Sequence, residues 1–158
     1  MPTAARENLR KSSVKTMCGG RSPRYGARSR DESMRVFEEN RKVGLGTYLT
    51  EAELDKANGR NLPQMMIMFP SLQIKFDPRT GTYQPYFIGR GPKSLVPREG
   101  CQPLVFVDGV RERGFDLNTY PPWAVAGVEY YRGGAQTPPE YAVMGSGCGV
   151  IAIHLRKK

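Results

Sequence analysis

PLVFVDGV (Pro103–Val110), AGVEYYRGGA (Ala126–Ala135) and GSGCGVIAIHLRKK (Gly145–Lys158) decide the fold. Each carries a short apolar run rich in β-branched and aromatic residues: Leu104–Val107, Val128–Tyr131 and Val150–Leu155. Such runs, bounded by turn chemistry, predict strands. Asp108-Gly109 after the first run is the dipeptide of a tight hairpin. Pro121-Pro122 and Pro138-Pro139 each open a one-turn helix, because a proline in a first helical turn gives up only a donor that has no partner there. Gly145–Gly149 then turns the chain into its best core strand, which predicts Ile151 and Ile153 at the centre of the domain.

Upstream, the same pattern continues in smaller pieces. Thr50 and Glu53 have capping-box spacing and predict a helix through Leu54 and Ala57 that stops at Asn58-Gly59. A second short helix begins near Asn61 or Leu62, takes Pro63 in its first turn and lines its apolar side with Met65, Met66 and Phe69. The methionines at 65, 66 and 68 read as core filler. Ser71–Phe76 alternates as a half-buried strand, Asp77–Gly81 is a turn, and Tyr83–Ile88 is a strand confined to an edge by Pro85. Met34–Lys42 leads into the domain as one charged helical or extended turn. Together these segments make a compact sheet-plus-helix pattern.

At 158 residues the chain can build one core of its own. An apolar content of 39% with 18 Gly and 13 Pro favours short elements joined by loops over a helical bundle. The formal charge of +9 is unevenly spread: residues 1–35 hold nine Lys and Arg against three Asp and Glu, whereas residues 36–158 hold fifteen against twelve. The division expected is a basic flexible arm over 1–34 and a domain over 35–158. The arm mixes Arg with Ser, Gly and Pro and carries one aromatic, Tyr25, so it lacks the repeated stacking platforms of single-strand binders. Nothing before Val43 has the roughly 7–15 apolar residues of a secretory signal. The longest apolar run, MMIMF (Met65–Phe69), is far short of the roughly 20 residues of a membrane helix.

The residues that carry chemistry are sparse. Cys18, Cys101 and Cys148 with the single His154 fit no metal-ligand spacing, so no metal or other cofactor is expected. Cys101 and Cys148 each precede a predicted strand. A bridge between them in an oxidising compartment and two separate small buried side chains are equally good readings. The Gly145–Gly149 turn runs from a helical segment into a strand, the reverse of a phosphate loop. Ser146 or Cys148 as a nucleophile needs a positioned base, and His154, inside a strand, reads as a sheet-face residue. Asp108 reads as a turn former, and nothing in the sequence brings it to Glu129. Trp123 reads as an anchor over the sheet, with ligand stacking as the lesser alternative. No catalytic constellation emerges, and no enzyme activity is expected.

Taken in order, these segments resemble the plug domain of TonB-dependent outer-membrane receptors. The resemblance runs through GTYLTEAELDKANGRNLPQMMIMFPSLQIKF (Gly46–Phe76), IGRG (Ile88–Gly91), LVFVDGV (Leu104–Val110), VAGVEYYRGGAQTPPEY (Val125–Tyr141) and the closing GSGCGVIAIHLRK. It covers Gly44 to Lys158 and lies in the ordered set more than in any one motif. Two departures stand out: Pro70-Ser71 replaces the usual Pro-Gly, and the arm has no recognisable energy-coupling box. No set of barrel strands, each roughly 9–11 residues, follows in this sequence. Transport by this chain is therefore expected to need a barrel from elsewhere.

What the resemblance implies is an α+β fold, a small mixed β-sheet of four to five strands with two to three short helices, serving as a non-catalytic gating and ligand-recognition domain at the periplasmic side of the outer membrane. Its expected partners are an outer-membrane β-barrel or a periplasmic energy-coupling protein, and a small ligand of unknown identity. The expected contact surfaces are the loops Gly89–Gly100, with Arg90, Lys93 and Arg98, and Arg111–Pro121, with Arg111 and Arg113, joined by Trp123. The alternative is a basic protein that binds nucleic acid or another polyanion through its arm; on the preferred reading nucleic acid is not a partner. A hydrolase built on Cys148 is a third class, and it requires an activity that is lost with that thiol.

Overall fold

Helix α1 (Arg30–Val43) is set by its ends. The Ser29 hydroxyl accepts from the Glu32 amide, Asp31 and Glu32 occupy the first turn, and Arg41 and Lys42 occupy the last. Charges placed this way complement the helix dipole. Gly44 closes the helix in the left-handed region at φ 74°. The computed structural model describes residues 28–88 and 100–156. The first five residues of helix α1 lie inside the stretch expected to be arm, and at 14 residues it exceeds the single turn expected at Met34–Lys42. Caps at both ends make the difference.

Strand β1 (Thr47–Leu49), helix α2 (Glu51–Asp55) and helix α3 (Leu62–Met66) follow. The capping box of α2 is present: Glu53 accepts from both the amide and the hydroxyl of Thr50, each at 2.7 Å. Asn61 and Gln64 cap α3 reciprocally, each contact at 3.0 Å. Then come β2 (Leu72–Asp77), β3 (Thr82–Phe87), β4 (Leu104–Val107), β5 (Val110–Glu112), β6 (Val125–Tyr131) and β7 (Val150–Leu155). Single 3-10 turns at Pro122–Ala124, Pro139–Tyr141 and Ser146–Cys148 make the remaining connections.

Five strands form one mixed sheet in the order β1-β6-β7-β4-β5. The β4–β7 pair is parallel, from Leu104 opposite Val150 to Val107 opposite Ile153, and the other neighbours are antiparallel. β2 and β3 stand apart as a two-stranded sheet with Pro85 opposite Ile74. The α+β class and the size of the mixed sheet are as expected. Two strands, β1 and β5, were not expected. Each is three residues long, too short for an alternation signal, and each is defined by pairing to a neighbour.

The strands alternate across the sheet. Val105, Val107, Val128, Tyr130, Ile151 and Ile153 face Leu54, Leu62, Met65, Met66 and Phe69 in the larger core. Ile151 and Ile153 are fully buried, as expected. Burial of an aliphatic side chain of this size contributes about 1.5–3 kcal/mol. The ring of Tyr130 stacks on Phe69 at 5.6 Å. On the opposite face Phe106, Tyr131, Val150 and Ala152 pack with Tyr141. Phe37 of α1 lies over Gly127 so closely that a Cβ there would stand 2.8 Å from its ring. Cys101 and Cys148 are bridged, with Cα atoms 5.6 Å apart.

Two placements differ from the sequence reading. Trp123 is 74% exposed and anchors nothing over the sheet; Pro122 and Val125 are the buried residues of that turn. Met68 is 85% exposed, because α3 ends at Met66 and Met68 falls in the turn toward β2. Gly127→Ala is expected to lower stability by about 1–3 kcal/mol through overpacking against Phe37, read as a fall in the urea midpoint. The Tyr130 hydroxyl is buried without a hydrogen-bond partner. Tyr130→Phe should therefore raise the midpoint or leave it unchanged, since an unsatisfied buried hydroxyl is itself a cost.

Candidate functional site

Four polar side chains meet between α1 and the sheet, three of them fully buried: Ser33, Glu129 and His154. The alternation of β7 sends His154 to the face opposite Ile151 and Ile153, and that of β6 sends Glu129 the same way. The Ser33 hydroxyl lies 2.6 Å from His154 Nδ1 and donates to Asp108 Oδ1 at 3.1 Å. On the far side of the ring, Nε2 lies 2.6 Å from Glu129 Oε1. Glu129 Oε2 accepts from the Tyr131 hydroxyl and, at 3.0 Å, from Asn40 Nδ2. Asn40 also donates to Glu140 Oε1 at 2.8 Å. Asp108 Oδ1 further accepts from the Leu155 amide at 3.1 Å, tying the end of β4 to the end of β7.

Ser33, His154 and Glu129 have the composition of a nucleophile, a base and an orienting acid. Their burial decides against that use. A hydroxyl with no exposed surface, committed to Asp108 and His154, offers no room for an acyl group to approach within bonding distance. The arrangement instead docks α1, with Phe37 as its buried apolar residue and hydrogen bonds from Ser33 and Asn40 beside it. The sequence reading placed His154 on a sheet face, which is where it lies, and saw Asp108 only as a turn former. Asp108 does sit in the hairpin turn, at φ 45°, and its carboxylate is also the hub for Ser33 and Leu155. Asp108 and Glu129 do not touch, but the Ser33–His154 link joins them. Ser33 and Asn40 were missed. The signal available was the spacing of 33, 37 and 40, one face of a helix.

Of the expected contact residues, Arg111 and Arg113 are exposed, on β5 and in the turn after it, and Trp123 is exposed on its 3-10 turn. Arg90, Lys93 and Arg98 lie outside the described residues. A separate cleft of about 740 Å³ is lined by Pro70, Ser71, Phe87, Arg132 and the Gly133–Gln136 turn. Arg132 is its one charged lining residue among those described. Among the described residues no cluster of His, Cys, Asp or Glu could hold a metal ion, and no helix is long and apolar enough to cross a membrane.

Burial pushes the Tyr130 phenol up to about 12. Tyr131 and Tyr141 are raised further, by burial first and then by the nearby negative charge of Glu129. A phenol held protonated in the folded chain contributes stability that is complete below its unfolded value near 10 and is lost as pH rises beyond it. The melting temperature is therefore expected to fall across about pH 10–12. Absorbance at the phenolate band should show these three tyrosines ionising only as the chain unfolds.

The profile of the TonB-dependent Receptor Plug Domain matches residues 44–145. Comparison with curated proteins finds no match. Among solved structures, the chain is similar to the siderophore receptor PirA from Acinetobacter baumannii, with TM-score 0.52 and 22% identity over 76% of this chain and 18% of that one. It is also similar to the ferric enterobactin receptor PfeA in complex with BCV-L6, with TM-score 0.51 and 19% identity over 72% of this chain and 18% of that one. At these identities the likeness speaks for the fold. The chain spans about a fifth of the length of the receptors it resembles. With the sheet, its connections and the profile match across Gly44 to Gly145 in agreement, the chain belongs to the TonB-dependent receptor plug domain family.

Proposed function

We propose that this chain is a gating and ligand-recognition domain that works with an outer-membrane β-barrel and carries out no catalysis of its own. The observation that carries the reading is the plug-domain match across residues 44–145, on a sheet whose central strands are closed off on both faces. A stiff body of this kind suits an element that blocks or opens a passage. The Cys101–Cys148 bridge supports a place in an oxidising compartment, on the periplasmic side of the outer membrane. An energy-coupling protein in the periplasm is the second partner of this reading.

For the ligand, we read the cleft beside Arg132 and the exposed Arg111, Arg113 and Trp123 as candidate recognition positions, and keep Arg90, Lys93 and Arg98, outside the described residues, as candidates from the sequence. An arginine on the wall of the cleft suits an anionic ligand, and ferric enterobactin is the ligand named for one receptor of similar fold. Trp123 is the only tryptophan and is exposed, at the opposite end of β6 from Arg132, so its fluorescence reports on its own end of this surface.

Photo-crosslinkers placed at Arg111 and at Trp123 in living cells are expected to capture an outer-membrane β-barrel protein. Fractionation should place the chain with that membrane, with Cys101 and Cys148 oxidised. Recovery in the cytosol with both thiols free, or capture of nucleic acid in place of a barrel, would refute the reading. Equilibrium titration is expected to show binding of ferric enterobactin, and Arg132→Glu should weaken that binding about tenfold or more, as loss and reversal of a charge contact predicts.

A further inference from the structure

The contacts around His154 fix a proton count. Ser33 has one hydroxyl proton, and it goes to Asp108 Oδ1, which as a carboxylate oxygen can only accept. The 2.6 Å contact between Ser33 Oγ and His154 Nδ1 must then be made by a proton on Nδ1. The 2.6 Å contact between Nε2 and Glu129 Oε1 needs a further proton, on the ring or on the carboxyl. Three contacts thus require two protons beyond that of serine. A neutral imidazole between two carboxylates brings one.

We infer that docking of α1 onto the sheet takes up one proton, so that the Ser33–His154–Glu129–Asp108 cluster is a proton-linked clasp for the first helix. The proton is held as imidazolium beside Glu129 or as a protonated carboxyl beside neutral imidazole. Both forms leave the His154–Glu129 pair with no net charge, which suits its complete burial. Without that proton, two lone pairs would face each other at 2.6 Å in a site closed to water.

The surrounding charges set the direction. From β6 the ring faces Glu129, whose other oxygen is already engaged by Tyr131 and Asn40. From α1 it faces Ser33 and the edge of the Phe37 ring, 5.3 Å away between centroids. From the β4–β5 turn it meets Asp108 through Ser33, and Glu140 lies beyond Asn40. Among the described residues the nearby cation is Arg28, whose guanidinium donates to the Tyr141 hydroxyl at 3.4 Å and covers that ring. Negative groups outnumber it, so retention of a proton is favoured.

Once α1 lifts and water enters, the contacts that hold the extra proton are gone, and a solvated imidazole is neutral above about 6.5. The docked state then binds one more proton than the undocked state. Docking should weaken by about tenfold for each pH unit above neutrality, the slope that one linked proton dictates. Below that range it should be insensitive to pH.

Hydrogen exchange of the α1 amides in the full chain between pH 6 and 9, divided by intrinsic exchange rates, measures this opening directly. The expected result for the native chain is an opening constant that rises about tenfold per unit at the alkaline end. Glu129→Gln offers an amide N–H to a neutral Nε2, so it should keep α1 docked and flatten the pH profile. Ser33→Ala removes the link to Asp108 and lets Nε2–H donate to an ionised Glu129. It should open more often but also without pH dependence, and it covers the case in which the glutamine variant does not fold. His154 is the only histidine, so ring nitrogen shifts read its protons without ambiguity. An opening constant flat in pH for the native chain would overturn the inference. So would a neutral Nε2–H ring with both carboxylates ionised.

Discussion

Everything in this domain is arranged around one strand. Val150 to His154 of β7 are buried without exception, paired to β6 on one side and to β4 on the other. A strand with no exposed face must satisfy two environments at once, because successive side chains point to opposite sides of the sheet. Ile151 and Ile153 meet an apolar layer from α2 and α3. Ala152 and His154 meet the other layer, where the chain supplies Phe106, Tyr131, Tyr141 and, from α1, Phe37 and Ser33.

The parallel β4–β7 pair is the demanding part, since parallel neighbours are not joined by a tight turn and must be held in register by other means. Two fastenings do so. The Cys101–Cys148 bridge joins the chain just before both strands begin, and Asp108 accepts from the Leu155 amide where they end. Between them runs the register from Leu104–Val150 to Val107–Ile153. The same Asp108 oxygen also receives Ser33, so the fastening at the closing end of the pair and the docking of the first helix share an acceptor. A disturbance of one is transmitted to the other through a single carboxylate.

The plug-domain assignment and the polar cluster bear on different questions. Family membership identifies the chain as a plug domain of the TonB-dependent receptor type. The cluster shows how this chain secures its leading helix. It uses several hydrogen bonds in a closed site, which makes the attachment directional. An apolar seam of equal area would hold the helix by burial alone and would not respond to protonation.

Much of this was readable from residue order. The strands Leu104–Val107 and Val150–Leu155 and the capping boxes at Thr50 and Asn61 follow from local patterns in which neighbours a few residues apart state their own geometry. Strands β1 and β5 are too short to carry such a pattern and exist because a partner strand is there to bond them. The joining of Ser33 to His154 spans 121 residues, and that of Asn40 to Glu129 spans 89. No periodicity links positions so far apart, and a polar residue reads as surface until the fold closes over it. Local chemistry thus determined the elements and the class of the domain; only tertiary packing decided which polar groups would lose their water and have to find one another.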